Sequence, residues 1–249
     1  MLNESILQPI NNAAKRTVNW SKVHWIQVTV IVVVAFIVEQ VATFPFGEVT
    51  ALARRNPTRT AFMEQQAELA KHDGRRFKVF QRWLPLKDIP KDVVNAVIVS
   101  EDGTFWSHHG FDWFELKESI GRNIEEGRAA RGASTITQQL VKNLYLSPSK
   151  NPLRKMKEWI LTWWMEQRLS KSRILEIYLN VIEWGDGVYG IDAASQFHFG
   201  KSAVLLTKDE AARLAAIIPD PRDHMAGSDS QYVIRRSALI LDRMEARGF

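Results

Sequence analysis

A long apolar run near the N-terminus is the strongest hydrophobic feature of the chain. Residues Val23 to Val38 read VHWIQVTVIVVVAFIV and contain no Asp, Glu, Lys or Arg. Extended to Ala42, the run has roughly 20 residues and covers about 30 Å as a helix, enough to cross the hydrocarbon core of a bilayer. Almost every helical face is apolar, so the pattern predicts a transmembrane anchor at residues 23–44 rather than a buried helix of a soluble domain.

Charges on the two sides of this run predict its orientation. The flanking charged residues are Lys15, Arg16 and Lys22 before it and Glu39 and Glu48 after it. The positive-inside rule therefore places residues 1–22 in the cytoplasm and residues 45–249 outside the cytoplasmic (inner) membrane. A cleaved signal peptide is the alternative, since Ala51-Leu52-Ala53 resembles a cleavage site. That site lies far from the apolar run, and the run is long for a signal.

The rest of the chain carries the apolar spacing and the capping residues of helices. Ser, Thr or Asp before such a segment marks a helix start, and Gly or Pro after it marks a stop. These signals predict helices over Ala61–Lys71, Lys91–Glu101, Asp112–Glu126, Ser134–Leu146, Pro152–Leu169, Ser170–Asn180 and Thr207–Pro219, with a turn at Gly185–Gly187. Few segments alternate with the period of two that strands require. The predicted fold class is therefore mainly α.

Composition narrows the classes of function. The 249-residue chain has a formal net charge of +5 at pH 7, nine Trp and no Cys. Without cysteine, disulfides, Cys-ligated zinc and a Cys nucleophile are excluded. The positive charge suits a phosphate-bearing substrate or anionic lipid. The sequence has no block of Lys and Arg interleaved with aromatic residues, the pattern typical of RNA-binding domains, so nucleic acid is the weaker candidate. Trp suits a lipid interface or a sugar-binding cleft, although it also fills ordinary cores.

Glu101 is the first residue that the pattern singles out for chemistry. It ends a predicted helix in the segment Glu101-Asp-x-x-Phe105-x-x-His108-x-Gly110. A carboxylate at a helix end, followed by a Gly-containing loop, can be partly buried and still reach a cleft, which suits a general acid or base. Acid pairs at helix ends are also common in ordinary structure, so this segment alone leaves both interpretations open.

A second segment gathers hydroxyl and amide side chains at a helix start. Residues 132–139 read GASTITQQ. Such a density of donors beside free backbone N–H groups suits a phosphate or a sugar. An ordinary polar cap is the simpler interpretation, but two consecutive glutamines exceed what a cap requires. The candidate binding residues here are Ser134, Thr135, Gln138, Gln139 and, beyond them, Lys142.

A third segment combines basic residues with one carboxylate. Arg154, Lys155 and Glu158 are three and four residues apart, so they share one helix face. With Lys142 and Lys150 upstream, four cations around one carboxylate favour a pyrophosphate site, with a divalent metal as a further option at Glu158. A solvated salt-bridge stripe is the alternative, and such a stripe contributes little stability.

A fourth segment, residues 174–180, reads ILEIYLN. Taken alone it is an amphipathic helix. Glu176 and Asn180 are therefore predicted to be structural rather than catalytic.

These segments occur in the order and spacing of the bacterial peptidoglycan glycosyltransferase family, which the chain resembles from about Asn56 to Phe249. The four segments above are similar to its first four motifs, Ala211–Pro221 to its fifth, and Phe199–Lys201 to a further signature. Pro57–Met63 and Trp184–Gly190 most resemble the monofunctional branch, and no transpeptidase module is expected after Phe249. The departures from the family pattern are Ala133 for Gly, Lys150 for Arg, Arg173 for Glu and His198 for Tyr. Arg173 removes the capping-box partner of Ser170 and predicts a less stable helix start.

The resemblance implies a lysozyme-like, mainly α fold with a smaller membrane-proximal lobe from about residues 111–150. It implies inverting transfer that polymerises lipid II into β-1,4-linked glycan with release of undecaprenyl pyrophosphate. Glu101 takes the proton from the acceptor hydroxyl, and Glu158 is the second catalytic candidate. The residues implied to hold the leaving group and donor are Lys142, Lys150, Arg154, Lys155, Ser134, Thr135, Gln138 and Gln139. The candidates for the lipid-facing surface are Trp106, Phe111, Trp113 and Phe114.

The expected partners are lipid II, the growing glycan strand, membrane lipid and proteins of cell-wall synthesis and division, without nucleic acid. No obligatory cofactor is expected, and Mg²⁺ or Mn²⁺ near Glu158 is the one metal option. Two other functions fit parts of the pattern. A lysozyme-like enzyme that cuts peptidoglycan would share the fold and a glutamate, and a non-enzymatic cell-wall scaffold would not need Glu101.

Overall fold

The computed structural model describes residues 24–35, 38–39, 42–125, 134–146 and 152–249. The chain forms two units, residues 1–44 and residues 45–249. In the first unit residues 24–35 are helical. None of the helices in the described ranges combines the length and the apolar character that a bilayer span requires. The anchor predicted at residues 23–44 includes positions outside those ranges and stays a prediction, as does the tail at residues 1–22.

The second unit is mainly helical, as its sequence predicts. In the described residues its helices are α1 (Phe46–Ala51), α2 (Ala61–His72), α3 (Lys91–Glu101), α4 (Trp113–Glu125), α5 (Ile136–Tyr145), α6 (Pro152–Arg168), α7 (Lys171–Val181), α8 (Ile191–Phe199), α9 (Lys208–Ile217) and α10 (Gln231–Ala246). Short 3₁₀ turns lie at Leu86–Asp88 and Ala203–Leu205. Each predicted helix is present, with its ends within a few residues of the expected ones.

Three helices, α3, α9 and α10, pack together around one part of the core. Val93 and Val97 of α3, Leu214 of α9 and Ile240 of α10 are buried there. Helix α9 also buries several alanines, and small side chains let helices approach closely. This packing fixes the C-terminal end of α3, where Glu101 stands.

A second helical group supports the other candidate segments. Helix α5 packs against α2, α6 and α7, and α1 packs against α6. The buried residues Leu140 and Leu144 of α5 and Leu161 and Met165 of α6 belong to this core. The second and third sequence motifs therefore lie on adjacent, mutually packed helices.

A small sheet completes the unit. Strands β2 (Glu183–Gly185) and β3 (Val188–Tyr189) are antiparallel, and β1 (Phe80–Gln81) pairs with β3 in parallel. The turn between β2 and β3 confirms the predicted one. Gly187 there has φ 74°, and an added Cβ would lie 2.4 Å from the carbonyl oxygen of Lys78, so only glycine fits.

The helix caps follow local sequence with one correction. Ser170 accepts a hydrogen bond from the backbone N–H of Arg173, and Thr207 forms a capping box with Glu210. The prediction that Ser134 caps the next helix is wrong. Thr135 is the cap, because Gln138 stands three residues after it and completes a capping box.

Arg173 has a role that the capping argument missed. Its guanidinium donates to the carbonyl oxygens of Leu52 and Arg55 and to Oδ1 of Asn56, and it pairs with Glu176. The arginine therefore ties the segment after α1 to α7. The weakening of the α7 start that the missing capping-box partner implies stays a prediction.

Glu176 and Asn180 serve structure, as predicted. Glu176 accepts the backbone N–H of Leu86 at 3.0 Å. The amide of Asn180 accepts the N–H of Leu84 at 2.8 Å and donates to the carbonyl oxygen of Leu84 at 2.9 Å. Both side chains fix the loop between β1 and α3 on α7.

His198 is a buried histidine held in its neutral form. Its Nε2 donates to the carbonyl oxygen of Trp184 at 2.7 Å, and Nδ1 accepts the N–H of Ala226 at 3.2 Å. Burial lowers the pKa of His198, and the bond to Trp184 only partly opposes this. Protonation would place a charge in a buried site and would set the new Nδ1–H against the backbone N–H of Ala226.

We expect stability to fall as the pH drops below about 6.5, the ordinary histidine pKa, because the unfolded chain then binds more protons at this position than the folded one. The contribution of neutral His198 to the free energy of unfolding is fully present above that pH, and it is lost as the pH falls toward the lowered pKa of the folded state. Thermal melts between pH 5 and 7 measure the slope. His198→Gln should flatten it, whereas His72→Gln, at an exposed position, should not. Equal slopes in the wild type and His198→Gln would contradict the assignment.

Candidate active site

Glu101 occupies the last position of α3 and is mostly withdrawn from solvent. Its side chain is 10% exposed. Oε2 accepts a hydrogen bond from Nε2 of Gln139 at 3.0 Å, and Oε1 accepts one from Oγ of Ser100 at 3.1 Å. The carboxylate is thus held in one orientation with part of its surface still accessible, which is what a general base requires.

Asp102 and His108 connect this helix end to the start of α5. The buried carboxylate of Asp102 accepts Nε2–H of His108 at 2.9 Å and the backbone N–H of Ile136 at 2.9 Å. Nδ1 of His108 accepts the N–H of Gly110 at 3.0 Å. The first two sequence motifs are therefore joined by a buried polar network.

The structure shows why the first motif has glycine at position 110. Its φ is 91°, and an added Cβ would lie 2.9 Å from Cγ2 of Thr162 and 3.0 Å from Cγ of Glu166. The loop can pass this close to α6 only without a side chain. Its carbonyl oxygen accepts Oγ1–H of Thr135 at 2.8 Å, which seats the start of α5 on the loop.

The second motif divides into supporting and accessible residues. Thr135 and Gln138 are buried, and each bonds the other's backbone in the capping box. Both therefore support the start of α5. Ser134 and Lys142 are exposed, and Gln139 is half-buried against Glu101. Gly132 and Ala133 lie outside the described residues.

The third motif forms an ion-pair cluster on α6. Glu158 is 4% exposed, and its two carboxylate oxygens face Lys155 and Nη1 of Arg154, the latter at 3.4 Å. The predicted shared face is confirmed. Lys155 remains 44% exposed, so its ammonium is both oriented by Glu158 and open to a ligand. Lys150 lies outside the described residues.

The place of the basic residues on α6 adds to the positive electrostatic potential of the cluster. Arg154 and Lys155 stand in the first turn of α6, where the helix dipole presents its positive end. Cations there do not stabilise the helix, but they concentrate charge that an anion would neutralise. The arrangement suits a phosphate group better than a structural salt bridge.

The donor set of Glu158 does not fit a divalent cation. Both of its carboxylate oxygens face basic side chains. Within the described residues there is also no group of three or more His, Asp or Glu side chains that could hold a metal. Mg²⁺ and Mn²⁺ need several oxygen ligands, and nearby cations oppose their binding. We therefore derive no step through a metal at this position.

Arg236 is a residue that the sequence did not indicate. It stands on α10, and its Nη2 lies 3.9 Å from Oε1 of Glu101. Its Nε is buried and finds no hydrogen-bond partner among the described residues. Only the packing of α10 on α3 brings it to the site, so neither spacing nor motif pointed to it.

An exposed apolar face adjoins these helices. Of the four candidates for a lipid-facing surface, Trp106, Trp113 and Phe114 are exposed and Phe111 is half-buried; contact with lipid stays a prediction. Phe111 stacks on Trp113 at 5.4 Å between ring centroids.

Helix α6 extends this face. Trp159 meets both Phe111 and Trp113 edge-on. The exposed apolar residues of α6 are Leu153, Met156, Trp159 and Trp163. Their spacing of three to four residues puts them on one side of the helix. We call these α6 residues, together with Trp113 and Phe114, the apolar face.

Comparison with known proteins agrees with the motifs. The family described as Transglycosylase matches residues 66–245. A biosynthetic peptidoglycan transglycosylase of Herminiimonas arsenicoxydans is 42% identical over 189 residues, covering 76% of this chain and 82% of that protein. One of Paraburkholderia xenovorans (strain LB400) is 37% identical over 235 residues, covering 94% and 97%. The resemblance stated from the five motifs is therefore confirmed, and the chain belongs to the transglycosylase family.

Proposed function

We propose that this glycosyltransferase polymerises lipid II, the lipid-linked disaccharide of peptidoglycan synthesis, into β-1,4-linked glycan strands. The observation that carries the proposal is the held, partly accessible carboxylate of Glu101 beside Gln139. Family membership supports the reaction class, and the relatives quoted above are named for peptidoglycan synthesis. The mainly helical second unit is consistent with the lysozyme-like, two-lobed domain that the resemblance implies.

In the proposed reaction Glu101 accepts the proton of the acceptor 4-hydroxyl as its oxygen attacks the anomeric carbon of the donor. The bond from that carbon to the pyrophosphate breaks on the opposite face, so the α-linkage becomes β. The pyrophosphate oxygen takes the bonding electron pair and leaves with undecaprenol attached. At the anomeric carbon one C–O bond forms and one breaks. The acceptor O–H bond breaks as an O–H bond forms on Glu101, and the proton stays there until solvent removes it.

The developing charge on the pyrophosphate is the largest electrostatic demand of this step. Lys155 and Arg154, oriented by the buried Glu158, can meet it from α6, and the exposed Lys142 can do so from α5. Lys150 is proposed to join them. Glu158 thus acts by holding cations rather than by exchanging protons.

Ser134 is exposed and Gln139 is half-buried against Glu101, so both side chains are open to a ligand. We assign them contacts with the donor or acceptor sugar. Thr135 and Gln138 act through the capping box that fixes their position. Proteins of cell-wall synthesis and division remain expected partners.

A lipid-linked substrate also requires the enzyme at the membrane surface. We propose that residues 23–44 anchor the chain with its N-terminus in the cytoplasm, and that the apolar face contacts the lipid headgroup region. Exposed Trp and Phe beside basic residues are typical of such an interface. The apolar face adjoins the cation cluster on α6, which would present both to the headgroup of a membrane-bound substrate.

Removing residues 1–44 should lower the rate on lipid II in vesicles far more than on lipid II in detergent, because the anchor places the enzyme rather than performing chemistry. Equal losses in vesicles and detergent would contradict a placement role.

Within that truncated protein, replacing both Met156 and Trp163 with Ser should weaken sedimentation with anionic vesicles. The paired change Leu205→Ser and Val204→Ser, at other exposed apolar positions, is the control.

The deciding experiment is incubation of the purified protein with lipid II, followed by analysis of the products. Polymer with released undecaprenyl pyrophosphate supports the proposal. Cleavage of preformed glycan without polymerisation would support the lysozyme-like alternative, and neither product would support the scaffold. Family membership and the cation cluster favour the first outcome, since a hydrolase has no pyrophosphate to stabilise.

A further inference from the structure

The hydroxyl of Tyr178 lies one hydrogen bond behind the residue that holds Glu101. Tyr178 stands on α7 and is fully buried. Its hydroxyl donates to Oε1 of Gln139 at 2.9 Å, and Nε2 of the same amide donates to Oε2 of Glu101 at 3.0 Å. Three side chains from three helices therefore form one chain of hydrogen bonds that ends on the proposed base.

The direction of this chain is fixed by chemistry. An ionised carboxylate only accepts hydrogen bonds, so Gln139 must turn its NH₂ group toward Glu101. The amide oxygen then faces Tyr178, whose hydroxyl must donate. Burial raises the pKa of Tyr178 well above its ordinary value, and the charges of Glu101 and Asp102 raise it further. The hydroxyl therefore keeps its proton and remains a donor.

Gln139 needs such a partner because its side chain is only half-buried. An amide with one open side can rotate toward solvent or flip, and a flipped amide would set its oxygen against the carboxylate of Glu101. Tyr178 itself has no such freedom, since its ring is enclosed in the core between α5 and α7. A rigid donor behind a partly exposed amide restricts the amide to the orientation that serves the base.

We propose that Tyr178 is a positioning residue for glycosyl transfer: acting through Gln139, it holds the carboxylate of Glu101 in the orientation that accepts the proton of the acceptor hydroxyl. The proposal rests on the assignment of Glu101 as the base. It adds a residue that touches neither substrate nor the reacting atoms. The fourth sequence motif, which otherwise serves structure, thereby contributes to the reaction rate.

The first test removes only the hydroxyl. Tyr178→Phe keeps the ring in place, and we expect kcat with lipid II to fall by about tenfold, the equivalent of one hydrogen bond, with KM within about twofold. Tyr189→Phe is the matched control. That tyrosine is also fully buried, and its hydroxyl donates to Glu183, away from Glu101. It should lose comparable thermal stability and retain its kcat.

A double-mutant cycle separates positioning from general support of the fold. Gln139→Leu should lower kcat by at least as much as Tyr178→Phe, because the donor to Glu101 is lost directly. If Tyr178 acts through Gln139, adding Tyr178→Phe to Gln139→Leu should cost no further rate. Fold-losses that multiply, or an equal kcat loss in Tyr189→Phe, would overturn the proposal.

Glu101→Gln in the same assay tests the assignment of Glu101 as the base separately from the positioning role of Tyr178. If Glu101→Gln is inactive while Tyr178→Phe has normal kcat, the base stands and the positioning role is wrong. If Glu101→Gln is active, the base assignment fails first. Should Tyr178→Phe not fold, Gln139→Leu tests the link through the split between kcat and KM: a lost sugar contact raises KM, whereas a lost hold on Glu101 lowers kcat. Its residue is half-buried, and a normal kcat there would remove the link between Tyr178 and Glu101.

Discussion

We expect Glu101→Gln to abolish polymerisation of lipid II in a protein that still folds. The substitution keeps the size of the side chain and its contacts with Gln139 and Ser100, but removes the group that accepts a proton. Loss of a well-placed general base typically costs ~10²–10⁴-fold in rate. The measurement is the initial rate of polymer formation, together with a thermal melt and with binding of lipid II.

Glu176→Gln is the matched control for this result. Glu176 is also half-buried and hydrogen-bonded, but it faces Arg173 and the backbone of Leu86. Its substitution should lower the melting temperature through the weakened ion pair and leave the rate of polymerisation nearly unchanged. A Glu101→Gln enzyme within a few-fold of the wild-type rate would eliminate Glu101 as the base.

We expect Lys155→Ala to reduce the rate of polymerisation by roughly ten- to over a hundredfold, which corresponds to ~1.5–3 kcal/mol for one charge-assisted hydrogen bond to the leaving pyrophosphate. The reason is the geometry of the cluster. The buried carboxylate of Glu158 holds the ammonium of Lys155 in place, yet the lysine stays partly open to a ligand. Lys155→Arg should recover only part of the rate, because it keeps the charge but presents a wider, planar head.

Lys71→Ala provides the comparison for a surface salt bridge. Lys71 and Glu68 have the same three-residue spacing on α2, but their side chains are 79% and 77% exposed and 3.9 Å apart. Removing such a pair should cost under ~1 kcal/mol of stability and no activity. If Lys155→Ala behaved like Lys71→Ala, the α6 cluster would be a solvated stripe, and the main argument against a hydrolase would be lost.

Much of the fold was available from local sequence. The helices follow apolar spacing, and their starts follow Ser170, Thr207 and Asp112, because a cap binds a backbone N–H only two or three residues away. Thr135 follows the same rule, since Gln138 three residues after it completes a capping box, whereas Thr137 follows Ser134 at that spacing. Local rules also placed Glu101 at a helix end and put Lys155 and Glu158 on one face.

Only the tertiary structure assigned the members of the second motif to different tasks. Ser134, Thr135, Gln138 and Gln139 were equivalent as polar residues at a helix start. Packing of α5 on the Gly110 loop buries Thr135 and Gln138, and leaves Gln139 beside Glu101. Burial depends on which elements meet the helix, and the hydrophobic period of one helix does not contain that information.

The sequence by itself determined the helical class, the caps, the base candidate and the ion-pair face, because each depends on residues within about one helical turn of each other. The tertiary structure alone brought Arg236 to within 3.9 Å of Glu101, placed Tyr178 behind Gln139, and gave Arg173 its contacts with the segment after α1. All three sets of contacts join residues that are far apart in sequence, and the first two join residues on different helices. Those two exist because α10 packs on α3 and α7 packs on α5, and such packing is decided by the complementarity of whole helix surfaces.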